Sequence, residues 1–318
     1  MPRPSVTVIT PVFNEEASLD AYAREVTTVL LNDTDFDFQV LLIDDGSSDH
    51  SWATIQRLSA ADARIQGVRL SRNYGAHVAL SAGFAQATGD AVATLACDLQ
   101  DPPGTVLEFA RRWQEGAQIV WGHRRTRADA WWRAATSRAF ERLIRRYAMP
   151  EGSRFTVGSF LLVDRRVADC FRQFHEHNRV TFALVAWTGF SQGVVEYDRG
   201  ERRSGVSGWT WRQMLTTMYD TFIGFSFLPI RVMTLTGVLL ALLTLPIAAY
   251  LIGGYVTGDT FPGWTSVMLA LTLFFGLQFF LMGIVGEYLY RIYAEVVRRP
   301  LYFVSDRTPD ESDVVRTR

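Results

Sequence analysis

Lysine is absent. All 32 basic residues of this 318-residue chain are arginines. Schiff-base chemistry on a lysine and a P-loop, whose lysine reaches the phosphates, are therefore excluded. Cysteine is scarce: Cys97 and Cys170 lie far apart and outside any metal-ligand spacing. That argues against a disulfide framework or a zinc site and fits a reducing compartment. An excess of one charge sign is also lacking. The formal net charge is −1, so the whole molecule is not a basic nucleic-acid binder, and no nucleic-acid partner is expected. There is no internal repeat and no low-complexity tract. The opening "MPRPSVTVITPVFNEE" has only a short apolar run and reads as a strand rather than a signal peptide. What is abundant is apolar surface: 48% of residues are hydrophobic and 20% charged, enough for a sizeable core and about two domains.

The first half alternates two signals. "SVTVITPVF", "FQVLLIDDGSSD", "IQGVRLSRNYG" and "DAVATLACDLQ" are apolar strands that run into polar ends. Between them "ASLDAYAREVTTVLL", "SWATIQRLSAADA" and "AHVALSAGFAQATG" read as helices. Strands apolar throughout, separated by helices, predict an α/β fold with a parallel sheet covered on both faces. Ligands of such sheets sit beyond the carboxyl ends of the strands. Three strands here end in polar clusters: Asn14-Glu15, Asp44-Asp45, and Asp98 to Asp101.

The last third changes character. Runs over about 232–256 and 267–285 are nearly all apolar, each meeting the roughly 20 residues needed to cross a bilayer. Arg231 precedes the first; Arg291, Arg298 and Arg299 follow the second; the link "GGYVTGDTFPGW" has no basic residue. The positive-inside rule then puts both termini in the cytoplasm and the link outside. "GVSGWTWRQMLTTMYDTFIGFSFLP" carries Trp209, Trp211, Met214, Met218, Phe222 and Phe225 and reads as an amphipathic helix in the membrane interface, the other reading being a helix packed on the globular domain. The closing "SDRTPDESDVVRTR" is polar and reads as a tail. The expected organisation is a cytoplasmic domain over 1–205, an interfacial segment over 206–229, a transmembrane hairpin over 230–290 and a cytoplasmic tail over 291–318, held in the inner membrane.

In "LACDLQDPPG" two acids stand three residues apart ahead of a Pro-Pro pair. Asp101 also suits a turn before Pro102; Asp98 follows an apolar strand directly. Hard cations such as Mg²⁺ or Mn²⁺ take carboxylate and amide oxygens and are often completed by phosphates. Asp98 and Gln100 can supply such oxygens. With Asp44-Asp45 on another strand end, the pattern points to a nucleotide-diphosphate site.

"ITPVFNEEASL", "LLIDDGSSD", "LSRNYGAHVALSAGF" and "CDLQDPP" together resemble the family 2 glycosyltransferases with a GT-A fold. "RRVADCFRQFHEHNRVTFALVAW", "GERRSGVSG" and "MGIVGEYLYRIYAEVVRRPLYFV" resemble, within them, the polyprenyl-phosphate glycosyltransferases: dolichyl-phosphate mannose synthase, the glucosyl carriers of O-antigen modification and the aminoarabinose transferase of lipid A modification. The resemblance implies a Rossmann-like, mostly parallel catalytic sheet followed by interfacial helices and two transmembrane helices. It implies that Pro11, Asn14 and Glu15 line the nucleoside pocket and that Asp44 and Asp45 bind base and ribose. Arg72 and Gly75 approach the donor, and Asp98 and Gln100 hold Mg²⁺ or Mn²⁺. Arg124, Arg127 and Arg202 face the diphosphate or the lipid phosphate, so that Asp98 and these arginines carry catalysis. The implied partners are a nucleotide-sugar, a UDP-sugar first, a polyprenyl phosphate and the lipid bilayer. Family members also assemble as homo-oligomers, which for this chain implies a tetramer.

The chain departs from the family pattern in three places. Ala96 stands where the family often has a further acid. Thr156 and Ser159 stand where many members carry an aspartate base. Ser207-Gly208-Trp209 replaces a Ser-Lys-Tyr. A phosphate acceptor offsets the second departure, because its second pKa near 6 leaves it largely ionised at about pH 7. The expected reaction is inverting transfer of one sugar to polyprenyl phosphate for cell-envelope glycan synthesis or modification. The rival readings are transfer to another lipid-linked acceptor and a degenerate transferase serving as a membrane scaffold. A processive polysaccharide synthase is disfavoured by the lack of a Gln-x-x-Arg-Trp motif and by only two spans.

Overall fold

The computed structural model describes residues 3–125, 160–200 other than 175 and 178, 232–240, five residues between 242 and 257, and 263–308. The chain divides into two compact units, Met1–Thr221 with Pro300–Arg318, and Phe222–Arg299.

The first unit is built on eight strands: β1 (Ser5–Val12), β2 (Asp37–Asp44), β3 (Ile65–Leu70), β4 (Ala91–Thr94), β5 (Ile119–Arg124), β6 (Leu161–Asp164), β7 (Gln192–Tyr197) and β8 (Val304–Arg307). They form one sheet in the order β7-β5-β6-β4-β1-β2-β3-β8. Strands β1 to β4 are mutually parallel, β6 runs against β4 and β5, β7 is parallel to β5, and β8 is antiparallel to β3. The carboxyl ends of β7, β5, β4, β1, β2 and β3 therefore lie along one edge. The chain steps from β1 to β2 and β3, then returns to the other side of β1 as β4. That reversal opens a crevice beside β1.

The strands form because their β-branched and aliphatic side chains are buried on both faces; Val6, Val8, Ile9 and Val12 of β1 are each at most 1% exposed. Helices α1 (Glu16–Val26), α2 (Ser51–Ala61), α3 (Ala76–Gln86), α4 (Pro103–Gln114), α5 (Arg165–Arg172) and α6 (Thr181–Trp187) cover the sheet. A π-helical turn, Thr27–Leu31, extends α1. Helix α3 is rich in small residues because it lies directly on β1: a Cβ on Gly83 would meet Ile9 Cγ2 at 2.2 Å. Helix α4 starts with Pro103, where the missing N–H costs nothing.

The first four strands and three helices fall where the sequence predicts them. Part of the polar closing stretch is strand, at Val304–Arg307. These residues pair with β3, Trp52 Nε1 donates to Asp306 Oδ2 at 3.2 Å, and Gly67 N donates to Thr308 Oγ1 at 2.8 Å. The edge of β3 has unpaired backbone groups to offer, and a short polar strand satisfies them.

In the second unit, residues 232–240 are helical and α7 (Trp264–Val297) runs for 34 residues. Helix α7 is about 51 Å long at 1.5 Å per residue and ends at Arg298 in the left-handed conformation, φ 51°. Among the described residues no helix is long and apolar enough to cross a membrane. The expected interfacial segment over 206–229 lies outside the described residues, as do 12 of the 25 residues of the expected first span.

Candidate active site

Three loops meet at the carboxyl edge. The first follows β1. Asn14 takes a left-handed conformation, φ 54°, which its short polar side chain tolerates. Its backbone N–H donates to Ser47 Oγ at 2.9 Å, and its Oδ1 accepts Ser48 N at 2.9 Å. Glu15 N donates to Ser51 Oγ at 3.0 Å. The loop after β1 is thus stitched to the loop after β2. Pro11 sits in β1 opposite Ile43, one step before Val12 faces Asp44.

The second loop holds the two aspartates. Asp44 is fully buried at the end of β2; its Oδ1 accepts Ser47 N at 3.0 Å. Arg69 Nε lies 3.1 Å from Asp44 Oδ2, yet no N–H is aimed at that oxygen. The pair is close in charge without a formed hydrogen bond. Arg69 spends another donor on Ser47 O at 3.1 Å. Asp45, 3% exposed, has both oxygens engaged by the third loop: Oδ1 accepts Tyr74 N and Oδ2 accepts Gly75 N, each at 2.8 Å. Burial raises its pKa, opposed by those two N–H bonds and by Arg72. Gly46, φ 69°, lets the loops touch, since a Cβ there would stand 2.4 Å from the Arg72 carbonyl carbon. Arg72 is exposed and rests on the Tyr74 ring, 4.1 Å from its centre.

Beyond β4, Leu95 N still donates to Ile9 O at 3.0 Å, so the chain leaves the sheet at Ala96. Asp98 closes a turn by accepting Gln100 N on Oδ1 at 3.1 Å. Leu99 within that turn has φ 55°, a strained value for a bulky residue. Asp101 is 6% exposed. Tyr197 OH, at the end of β7, donates to Asp101 Oδ1 at 2.6 Å, and Arg124 Nε, at the end of β5, donates to Tyr197 OH at 3.2 Å. Arg199 Nε stands 3.5 Å from the same Asp101 oxygen. Burial and the neighbouring Asp101 carboxylate push the Tyr197 hydroxyl up to about 12. It remains a proton donor at neutral pH. Gly200 N donates to Gln100 O at 2.8 Å.

The structure therefore gathers Asn14, Glu15, Asp44, Asp45, Arg72 and Gly75 around the ends of β1, β2 and β3, and Asp98 and Gln100 at the end of β4. Arg124 joins the Asp101 side through Tyr197. Arg127, Arg202, Thr156 and Ser159 lie outside the described residues. Ser47, Arg69, Tyr197 and Arg199 were missed. Ser47 stands in "DDGSSD" and was legible there. Tyr197 and Arg199 reach Asp101 across about a hundred residues of sequence, and no local pattern announces that contact.

Among the described residues no group of three His, Cys, Asp or Glu side chains gathers as a metal cage. At the end of β4 the donor set is one carboxylate, Asp98, and one amide, Gln100; Asp101 is committed to Tyr197 and Arg199. Such a set fits Mg²⁺ or Mn²⁺ held jointly with phosphate oxygens. It does not fit a resident ion caged by protein alone.

A Rossmann-like sheet with polar loops at its reversal point is the arrangement in which open α/β sheets bind their ligands. The chain belongs to glycosyl transferase family 2, whose model matches residues 7–172, just over half of its length. It is similar along nearly its whole length to two uncharacterized glycosyltransferases. One, from Synechocystis sp., is 36% identical over 95% of each chain. The other, YkcC of Bacillus subtilis, is 33% identical over 94% of this chain and 92% of its own. Among solved structures, the mannosyltransferase PcManGT of Pyrobaculum calidifontis, in complex with GDP-Man and Mn2+, is 16% identical over 91% of this chain and 88% of its own, with a TM-score of 0.44. The enzyme is a glycosyltransferase, with the α/β, mostly parallel sheet of the GT-A type.

Proposed function

We propose that this glycosyltransferase moves a single sugar, with inversion, from a nucleotide-diphosphate-sugar, a UDP-sugar first, to a polyprenyl phosphate of the undecaprenyl type. The reaction takes place at the cytoplasmic face of the inner membrane and serves the making or modification of a cell-envelope glycan. The observation that carries this reading is the alignment of three polar loops on the carboxyl ends of the neighbouring strands β4, β1 and β2, at the point where the strand order reverses. Asn14 and Glu15, on a loop backed by the buried Asp44 and Asp45, form the side suited to a nucleoside. Asp98, Gln100 and Arg124 line the side suited to a diphosphate.

Asp98 and Gln100 would hold Mg²⁺ or Mn²⁺ that enters with the donor. When bound, the ion neutralises charge growing on the leaving diphosphate. An oxygen of the acceptor phosphate forms the new bond to the anomeric carbon. The bond to the diphosphate oxygen breaks on the opposite face, and the nucleoside diphosphate leaves with the electron pair. At about pH 7 that acceptor oxygen is already largely ionised, so no protein group has to remove a proton. The arginines Arg124, Arg127 and Arg202 offset repulsion between the two phosphate groups.

The bilayer half of the proposal draws support from the two apolar runs over 232–256 and 267–285 and their arginine flanks. It draws further support from α7, where Phe274, Phe275, Phe279, Phe280 and Met282 all stand exposed. A helix apolar on every side needs an apolar surrounding. The two transmembrane helices, the cytoplasmic placement of both termini and a tetrameric assembly belong to the same proposal.

Titration calorimetry of the full chain in detergent tests the donor half. UDP is expected to bind in the presence of Mn²⁺, with at least tenfold weaker binding after chelation and in Asp98→Ala. Binding that ignores both metal and Asp98 would overturn the assignment of this crevice to a metal–diphosphate group.

A further inference from the structure

The turn that presents Asp98 is held from outside its own strand. Leu99 sits at φ 55°, a conformation that relaxes unless the surroundings fix it. Two contacts from the end of β7 fix it. Gly200 N donates to Gln100 O at 2.8 Å, and Tyr197 OH donates to Asp101 Oδ1 at 2.6 Å. Between them they grip the two residues that follow Leu99. Tyr197 is itself rigid. It is 5% exposed, its ring meets Phe160 edge-on at 5.1 Å, and Arg124 Nε donates to its hydroxyl at 3.2 Å. The bond from Arg124 uses a lone pair of the hydroxyl oxygen and so turns the Tyr197 proton toward Asp101.

A second acid on this turn would let the metal and diphosphate organise it from the ligand side. This chain has Ala96 in place of such an acid, and among the described residues Asp98 stands as the sole carboxylate of the donor set. The geometry of the turn must then exist before the ligand arrives, since each group that has to be ordered on binding costs affinity.

We propose that Tyr197 is a positioning residue for glycosyl transfer: by anchoring Asp101 it holds the Asp98–Asp101 turn in the form that receives the metal-bound diphosphate. This rests on the reading of the crevice as a donor site. Tyr197 touches no reacting atom in this role. It acts through Asp101, and Arg124 acts through Tyr197. Arg124 thereby links the anchor to the phosphate side of the site.

The test uses the full chain in detergent, with UDP and Mn²⁺ as the probes. Tyr197→Phe keeps the ring and its contact with Phe160 and removes only the hydroxyl. Calorimetry is expected to show UDP–Mn²⁺ binding weakened about tenfold, and the half-saturating Mn²⁺ concentration raised to match. Hydrogen exchange of the amides over 98–101 is expected to speed up in the absence of ligand, while protection of β1 and β2 stays the same. Asp101→Asn keeps an oxygen that can accept from Tyr197 and is expected to bind within about threefold of the wild type. Asp101→Ala is expected to resemble Tyr197→Phe.

A Tyr197→Phe protein that melts lower but binds UDP–Mn²⁺ as tightly as the wild type would overturn the proposal, because the hydroxyl would then serve the fold alone. A loss in Asp101→Asn equal to that in Tyr197→Phe would overturn it too, because charge and not the hydrogen bond would be at work. If the wild type itself binds no UDP–Mn²⁺, the donor-site reading fails first. The exchange rates over 98–101 then still report whether Tyr197 holds the turn.

Discussion

Gly75 donates its backbone N–H to Asp45 Oδ2 at 2.8 Å from a conformation, φ 94° and ψ 154°, that side chains essentially never adopt. That one bond ties the end of β2 to the start of α3 and sets the course of the loop carrying Arg72 and Tyr74.

The strain at Gly75 is a matter of torsion and not of space, because a Cβ there would meet nothing within 4 Å. Gly75→Ala is expected to lower stability by about 1–3 kcal/mol and to weaken donor binding. Gly104→Ala is the control. Its Cβ would also meet nothing within 4 Å, but it lies in the first turn of α4 and is expected to raise stability by about 0.4–1 kcal/mol. Thermal melts of the two proteins side by side check this. Equal effects would show that torsion at Gly75 is not what the sequence protects.

Asp98 and Ala96 can be varied in opposite directions. Asp98→Ala is expected to abolish transfer while the protein stays folded, since Asp98 lies in a turn and not in the core. Ala96→Asp adds a second carboxylate beside the first and is expected to lower the half-saturating Mn²⁺ concentration several-fold, with a faster rate only at low metal. A half-saturating concentration that does not move would show that position 96 faces away from the ion.

The far edge of the sheet supplies a pH signature. Asp90 accepts Ser5 N at 2.9 Å and Ser5 Oγ at 2.7 Å. These bonds hold its carboxyl below the usual 3.8. A depressed folded pKa gives stability that is present above the unfolded value and is lost as pH falls through the folded one. The wild type is therefore expected to melt above Asp90→Asn at pH 6, and the gap should close below pH 3.8. A gap that is constant down to pH 2.5 would mean that the bonds to Ser5 do not depend on the charge.

The proposed topology rests on arginine placement. With Arg231 before the first apolar run and Arg291, Arg298 and Arg299 after the second, a tag at Thr257 is expected to be reached by an antibody outside intact cells. A tag at the C-terminus is not. The reverse pattern would separate the catalytic domain from its nucleotide-sugars.

Much of this was legible because local pattern and tertiary role coincide. Strands buried on both faces read as unbroken apolar runs, and their polar ends, Asn14-Glu15, Asp44-Asp45 and Asp98, mark one edge of the sheet. The second half of the sheet was less legible. β6, Leu161–Asp164, is four residues long, and β8 is a polar strand whose only reason to exist is the open edge of β3. The site was readable as far as charge went, but not in how each charge is used. Asp101 reads as a turn residue and is in fact a buried acceptor for Tyr197. Asp45 reads as a ligand-binding carboxylate, yet both of its oxygens are engaged by the backbone of Tyr74 and Gly75. Those partners are set by the way the loops pack, which no spacing in the chain encodes.

The central claim is sugar transfer to a lipid phosphate, and its most direct test is the product. Membranes containing the full chain are incubated with UDP-, GDP- and dTDP-sugars, Mn²⁺ and undecaprenyl phosphate, and the lipids are analysed by mass and anomeric configuration. The expected product is undecaprenyl phosphate bearing one sugar, formed from a UDP-sugar with the anomeric centre inverted, and missing when Asp98 is replaced by Ala. Consumption of the donor with the sugar recovered on water, protein or a growing polysaccharide, and none on the lipid phosphate, would contradict it.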